Sequence, residues 1–379
     1  MFSSVIGQQK IIDQMLSFEN QSKTPHALMI SGHSGRGGLC LAIAFAQFLL
    51  CENKTSNESC GMCSQCQKSY QLIHPDLHFS FPVVKHPNKK TRKDSFSDDF
   101  VKDWRSIVLE SPYFSYSDWL NHIQASEKQG DMNVTECNEI SKKLSLKSFA
   151  GGKKILILWL PEFLGQNANR LLKLIEEPPD QTHLIFVTHQ EEALLKTITS
   201  RFQIIKLPPI DKQSLSAQLV KEFEINAEEA RRISMVTEGD YIEAKGLVSG
   251  ANQDIIELII KWLRICYQQN SAQLTEWTEK FGTFPKELQK QVLSYTLFIL
   301  REFIKMTCLG NEQLSLNKEE FEKLKGLSTV LTLDKAEEIA SIINESMYSI
   351  QRNANVRILM MADSLTIGQI LRRKEVSII

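Results

Sequence analysis

HALMISG (His26–Gly32), HSGRGG (His33–Gly38) and LCLAIAFAQFLLC (Leu39–Cys51) follow one another without a break. A short apolar run, a glycine-rich turn and a longer apolar run of helical composition read as strand, loop and helix. Two further apolar runs, KKILILWL from Lys153 and HLIFVT from His183, read as buried strands. Between them lies a helical pattern from Asn169 to Glu177 that Pro178 and Pro179 terminate. Strands alternating with helices predict a parallel sheet covered on both faces. After Pro208 the pattern changes to helices alone, with apolar residues at helical spacing through IIELIIKWLRIC, QVLSYTLFILREFIKM and VRILMMADSLTIGQIL. At 379 residues the chain is long enough for two or three domains.

The loop between the first strand and its helix has the spacing of a phosphate-binding loop, in the context that gives such a match its meaning. Gly32, Gly35, Gly37 and Gly38 supply the glycines. In a working loop a lysine then reaches the outer phosphates and a serine or threonine hydroxyl holds magnesium. Those two positions are Gly38 and Leu39 here, so both the charge and the metal ligand are missing. The strand from Lys153 is followed only by Glu162, displaced beyond Pro161, where an ATPase needs an acidic pair. Two separate losses point to a loop that keeps the fold and has lost hydrolysis, since phosphoryl transfer depends on positioned charge. The enzyme-class alternative is an ATPase in which Arg36 replaces the missing lysine.

A net charge of -1 and a pI near 6.7 exclude the global basic field of an autonomous nucleic-acid binder, so any DNA contact is local. No segment has signal-peptide character and none approaches the length of a membrane-spanning helix, which makes the cytoplasm the expected location and excludes a membrane partner. KHPNKKTRKDSFSDDFVKD, Lys85 to Asp103, reads as an exposed loop or insertion. Lys85, Lys89, Lys90, Arg92 and Lys93 are offset by Asp94, Asp98 and Asp99, which favours a solvated loop over a phosphate contact.

Of eight cysteines, four cluster as Cys51-x8-Cys60-x2-Cys63-x2-Cys66. In a reducing compartment clustered thiols more often hold a metal than pair as disulfides, and the two short steps suit a tetrahedral site. Four thiolates leave no position for water, so the expected metal is a structural zinc; an iron–sulfur cluster is the alternative. His74, in the following HPDLH, is read as a loop residue. Cys40, Cys137, Cys266 and Cys308 are scattered in apolar or helical stretches and read as small buried hydrophobes.

Taken in order, VIGQ (Val5–Gln8), PHALMISG (Pro25–Gly32), the cysteine cluster, NRLLKLIEEPP (Asn169–Pro179) and TSRF (Thr199–Phe202) resemble the clamp-loader branch of the AAA+ ATPases. NRLLKLIEEPP is the most specific of these blocks. NANVRILMMADSL, Asn353 to Leu365, is similar to the family's helical collar segment. The resemblance implies an α/β AAA+ domain, a P-loop NTPase-like parallel sheet at 1–207 with a zinc module at 51–66. A small helical lid at 208–250 and an all-α collar for oligomerisation at 251–379 would follow. Within that family, loss of the loop lysine is the mark of the delta-prime branch rather than of the ATP-hydrolysing gamma or tau subunits.

The same resemblance assigns Arg201, in TSRF, as an arginine finger that reaches into the ATP of a neighbouring subunit, with Phe202 in place of the family's cysteine. Thr188 and His189 fall in the family's sensor region. In GDYIEAK, from Gly239, Ile242 stands where active members present an arginine. The implied function is a non-hydrolysing part in placing a sliding clamp on primed DNA during replication. Implied partners are the gamma or tau ATPase subunits, the clamp-opening delta subunit, the clamp, primer-template DNA and the DNA polymerase III holoenzyme. A zinc-dependent scaffold that lends no arginine to chemistry is the remaining alternative.

Overall fold

The computed structural model describes residues 1–85, 95–126, 128–249, 252–310, 314, 316, 318–327, 329–351 and 354–373. Lys89, Lys90, Arg92, Lys93, Asp94 and Asn353 therefore lie outside the described residues. The chain divides into two compact units, one of Met1–Gln218 with Gly239–Ile242, the other of Leu219–Glu238 with Glu243–Ile379.

The first unit is built on a five-stranded sheet of order β2-β3-β4-β1-β5. Its strands are β1 (Ala27–Ser31), β2 (Leu77–Ser80), β3 (Lys154–Trp159), β4 (Thr182–Thr188) and β5 (Gln203–Lys206). All four pairings are parallel, with Ala27 opposite Leu184 and Ser31 opposite both Thr188 and Lys206. β3 and β4 are buried along their whole length, which is why they read as continuous apolar runs. Period-two alternation divides their side chains between two cores. Met29, Leu156, Leu158, Leu184 and Phe186 join a core with Ile140, Leu144, Leu171 and Ile175.

The three long apolar runs of the sequence are β1, β3 and β4. β2 and β5 have only four residues each, LHFS and QIIK, too short and too polar to announce themselves. The helix over Asn169–Glu177 is shorter than its pattern. Pro161–Leu171 is 3-10 in character with a kink at Gly165 (φ 50°, ψ -127°), and only Leu172–Glu176 is α-helical.

Of the stretch from Lys85 to Asp103, the described residues 95–103 depart from the solvated loop expected there. Phe96, Ser97 and Phe100 are buried, and the helices Val101–Glu110 and Tyr116–His122 follow. Composition hid this, because the buried groups are spaced among charges. Trp104 is the anchor: it stacks on Phe81 at 4.1 Å and meets Trp159 at 5.3 Å and Trp119 at 5.5 Å. Buried Glu136 accepts hydrogen bonds from the Ser97 amide (2.7 Å) and from the hydroxyls of Ser97 and Ser80 (2.6 Å each), tying this segment to β2. Burial raises the Glu136 carboxyl above its ordinary range.

The second unit is helical throughout its described residues. Its core stacks Trp262 on Trp277 at 5.0 Å and Trp277 on Phe281 at 4.9 Å, while the Trp262 indole donates to the Ser364 hydroxyl at 2.9 Å. Cys40, Cys137 and Cys266 are buried as expected; Cys308 is exposed, near the end of the helix Lys286–Leu309. No helix among the described residues is long and apolar enough to cross a membrane.

Candidate functional site

β1 lies between β4 and β5, where the order of connection reverses, and ligands of open parallel sheets bind beyond the carboxyl ends of strands at such a point. The glycine-rich loop leaves β1 there. Ser34–Arg36 forms one 3-10 turn, Gly37 takes the left-handed conformation (φ 85°), and the helix Gly38–Leu50 begins. Only glycine enters that conformation without steric cost, so Gly37 is needed by the backbone.

The loop's surroundings are packed. A β-carbon on Gly32 would lie 2.9 Å from Leu207, and one on Gly38 would lie 3.1 Å from Val187. Gly38 is buried against an apolar floor of Ile30, Val187 and Leu207. Arg36, the candidate substitute for the lysine, donates from Nη1 to the Leu207 carbonyl at 2.9 Å.

Glu162, which follows β3, is brought to the end of β4. Its carboxylate accepts from the Thr188 hydroxyl at 2.8 Å and from the His189 amide at 3.1 Å. Burial pushes its carboxyl up, against the hydrogen bonds it accepts. Thr188 is fully buried, and the His189 ring meets Trp159 edge-on at 6.2 Å. The acid after β3 and the threonine at the end of β4 thus satisfy each other, a pairing that sequence separation concealed.

Arg201 follows the short helix Lys196–Thr199. Nε donates to Glu176 at 2.6 Å, Nη2 pairs with the same carboxylate, and Nη1 donates to the Thr197 carbonyl at 2.5 Å. The side chain keeps 35% of its exposure. Glu176 belongs to NRLLKLIEEPP, so two separated motifs meet, and their pairing is a feature that reading the sequence missed. Phe202 is buried against Phe186 at 4.5 Å and serves the core.

The helix Gly38–Leu50 ends at Cys51, so one buried helix joins the glycine loop to the cysteine cluster. Cys60 and Cys63 lie in the turn that leads into Ser64–Tyr70, and Cys66 is in that helix. The four sulfurs are all within 4.8 Å of one another. Backbone amides point at them in sequence: Cys60 N–H to the Cys51 sulfur (3.3 Å), Cys63 N–H to Cys60 (3.4 Å) and Cys66 N–H to Cys63 (3.4 Å).

The Cys63 amide is the first cause holding the Cys60 thiol down at about 6, whereas burial raises Cys51 and Cys66. A tetrahedron with bonds of about 2.3 Å has sulfur–sulfur edges of roughly 3.8 Å, and Cys60 and Cys66 are 3.8 Å apart. The donor set therefore fits a tetrahedral metal ion. His74 is elsewhere engaged: its Nδ1 accepts from the Asp76 amide at 3.0 Å and its Nε2 meets Gln65 at 2.9 Å.

Residues 7–211, more than half of the chain, match the profile of the family described as DNA polymerase III, delta subunit. The DNA polymerase III subunit delta' of Bacillus subtilis (strain 168) is 23% identical over 358 residues, which are 93% of this chain and 94% of that protein. The subunit delta' of Escherichia coli (strain K12) is 24% identical over 63% of this chain and 59% of its own length. The subunit tau of the same organism is 25% identical over 58% of this chain and 27% of its own length. The sheet, the loop and the match along most of the chain agree: this chain belongs to the DNA polymerase III delta-subunit family, in the delta-prime branch of the AAA+ clamp loaders.

Proposed function

We propose that this chain is the non-hydrolysing subunit of a clamp loader, which takes part in placing a sliding clamp on primed DNA and lends Arg201 to the ATP site of a neighbouring subunit. The observation that carries the reading is a phosphate-type loop with its backbone intact and Gly38 and Leu39 where chemistry needs a cation and a hydroxyl. The remaining acid, Glu162, is held by the Thr188 hydroxyl and the His189 amide at the end of β4, which supports the same reading. The degenerate loop of Gly32, Gly35, Gly37 and Gly38 is then a structural remnant.

In this reading the partners are the gamma or tau ATPase subunits, the delta subunit, the clamp and primer-template DNA, within the polymerase holoenzyme. The three-part division at residues 207 and 250 belongs to the same proposal. Cys51, Cys60, Cys63 and Cys66 hold a structural zinc, which supplies a cross-link and no reactivity.

Arg201 is suited to its role because a guanidinium is always charged and presents a planar fork. Such fingers are worth about 10³–10⁵ in rate where they have been measured. Arg201→Ala in a reconstituted ring tests the assignment. The site facing it should lose its DNA-stimulated ATP hydrolysis, so the whole ring loses that site's share while assembly is unchanged. An unaltered rate in an intact ring would leave the chain a scaffold. ATP turnover by the purified chain alone would contradict the non-hydrolysing role.

A further inference from the structure

The glycine loop is covered by side chains of its own chain. Asp240 lies over Gly35, so close that a β-carbon there would be 1.8 Å from Oδ1 and 2.3 Å from Cγ. Asp240 is only 9% exposed. Beside it, the Tyr113 hydroxyl would be 2.7 Å from a β-carbon on Gly37; it accepts a hydrogen bond from the Ile6 amide at 2.8 Å. The Tyr113 ring packs edge-on against Tyr241 at 5.0 Å.

The backbone is shaped to deliver this pair. Gly239 has φ 82°, and any β-carbon on it would fall 2.4 Å from the Ile210 carbonyl. The Ile210 amide donates to the Gly239 carbonyl at 3.1 Å, holding the turn from which Asp240 projects.

We propose that Asp240 is an internal anion that occupies the phosphate cradle, with Tyr113 closing its flank, so that the chain excludes nucleotide as well as failing to hydrolyse it. The proposal rests on the non-hydrolysing reading and adds its cause. Loss of the lysine alone leaves a loop of amides that still attracts phosphate. A carboxylate over Gly35 takes the phosphate's space and repels its charge.

The test uses the full-length, zinc-loaded chain as wild type, Asp240→Asn and Asp240→Ala, titrated calorimetrically with inorganic pyrophosphate and with Mg-ADP. Asparagine removes the charge and keeps the bulk; alanine removes both. Affinity for pyrophosphate should rise in the order wild type, Asn, Ala, with Ala at least tenfold above wild type.

Equal binding by all three, or none by any, overturns the plug. Should the alanine variant not fold, the asparagine variant decides, and no gain in it overturns the proposal. A second readout is the packing itself. Gly35→Ala should lower the melting midpoint sharply in the wild-type background and much less with Asp240→Ala, and equal losses in both backgrounds overturn the contact. ATP turnover by the wild-type chain would instead defeat the underlying non-hydrolysing role, a different outcome from an inert chain whose Asp240 variants gain nothing.

Discussion

Glu19 accepts from Lys153 at 2.5 Å, from Lys54 at 2.6 Å and from the Thr24 hydroxyl at 2.6 Å. Burial works to raise its pKa, but the hydrogen bonds from Lys153, Lys54 and Thr24 outweigh it and hold the carboxyl at about 2, below the ordinary 4.5. A folded-state value below the unfolded one stabilises the fold above pH 4.5, and that stabilisation drains away as pH falls towards 2. Glu19→Gln should cost roughly 1–2 kcal/mol at neutral pH after allowance for solvent screening. Urea titrations should show the gap between variant and wild type closing as pH drops towards 2. A constant gap would mean that the glutamate acts by shape and not by charge. No motif marks Glu19 in the sequence, since its partners are 35 and 134 positions away. The cysteines are the opposite case, because their grouping within 16 residues was itself the signal.

Among the elements, the segment from Phe96 to His122 shows what charge composition conceals. Its helices are held by an aromatic cluster in which Trp104 is fully buried and meets Phe114 at 5.6 Å in addition to Phe81, Trp119 and Trp159. Trp104→Ala should cost about 3–5 kcal/mol, the range for deleting a large buried aromatic side chain. Chemical denaturation with far-UV circular dichroism measures it; a loss under 1 kcal/mol would mean that the cluster is replaceable packing. β1, β3 and β4 were legible because strands buried on both faces are apolar throughout. β2 and β5 were not, because four-residue strands are defined by hydrogen bonds to β3 and β1, which composition does not record.

At the scale of the molecule, the helix Gly38–Leu50 ties the cysteine cluster to the sheet, and every residue in it is buried. A metal ion held by the four thiols would then be coupled to the folding of the first unit. Stripping the metal with a strong chelator under reducing conditions should lower the thermal midpoint by roughly 5–10 °C, and Cys51→Ser should do the same without a chelator. Differential scanning calorimetry, paired with metal analysis of the untreated protein, gives the result. An unchanged midpoint would show that the four thiols fold without an ion.

By itself the sequence determined the parallel α/β core, the helical second half, the four thiols and the phosphate-type loop without its lysine. Each of these is written in local periodicity, spacing or the identity of a single residue. Only the tertiary structure decided that Asp240 covers Gly35, that Glu162 is engaged by Thr188 and that Glu176 holds Arg201. Those pairs join residues 205, 26 and 25 positions apart. Hydrogen bonding and exclusion act through space, so their partners are fixed by the order in which strands assemble and not by neighbourhood along the chain.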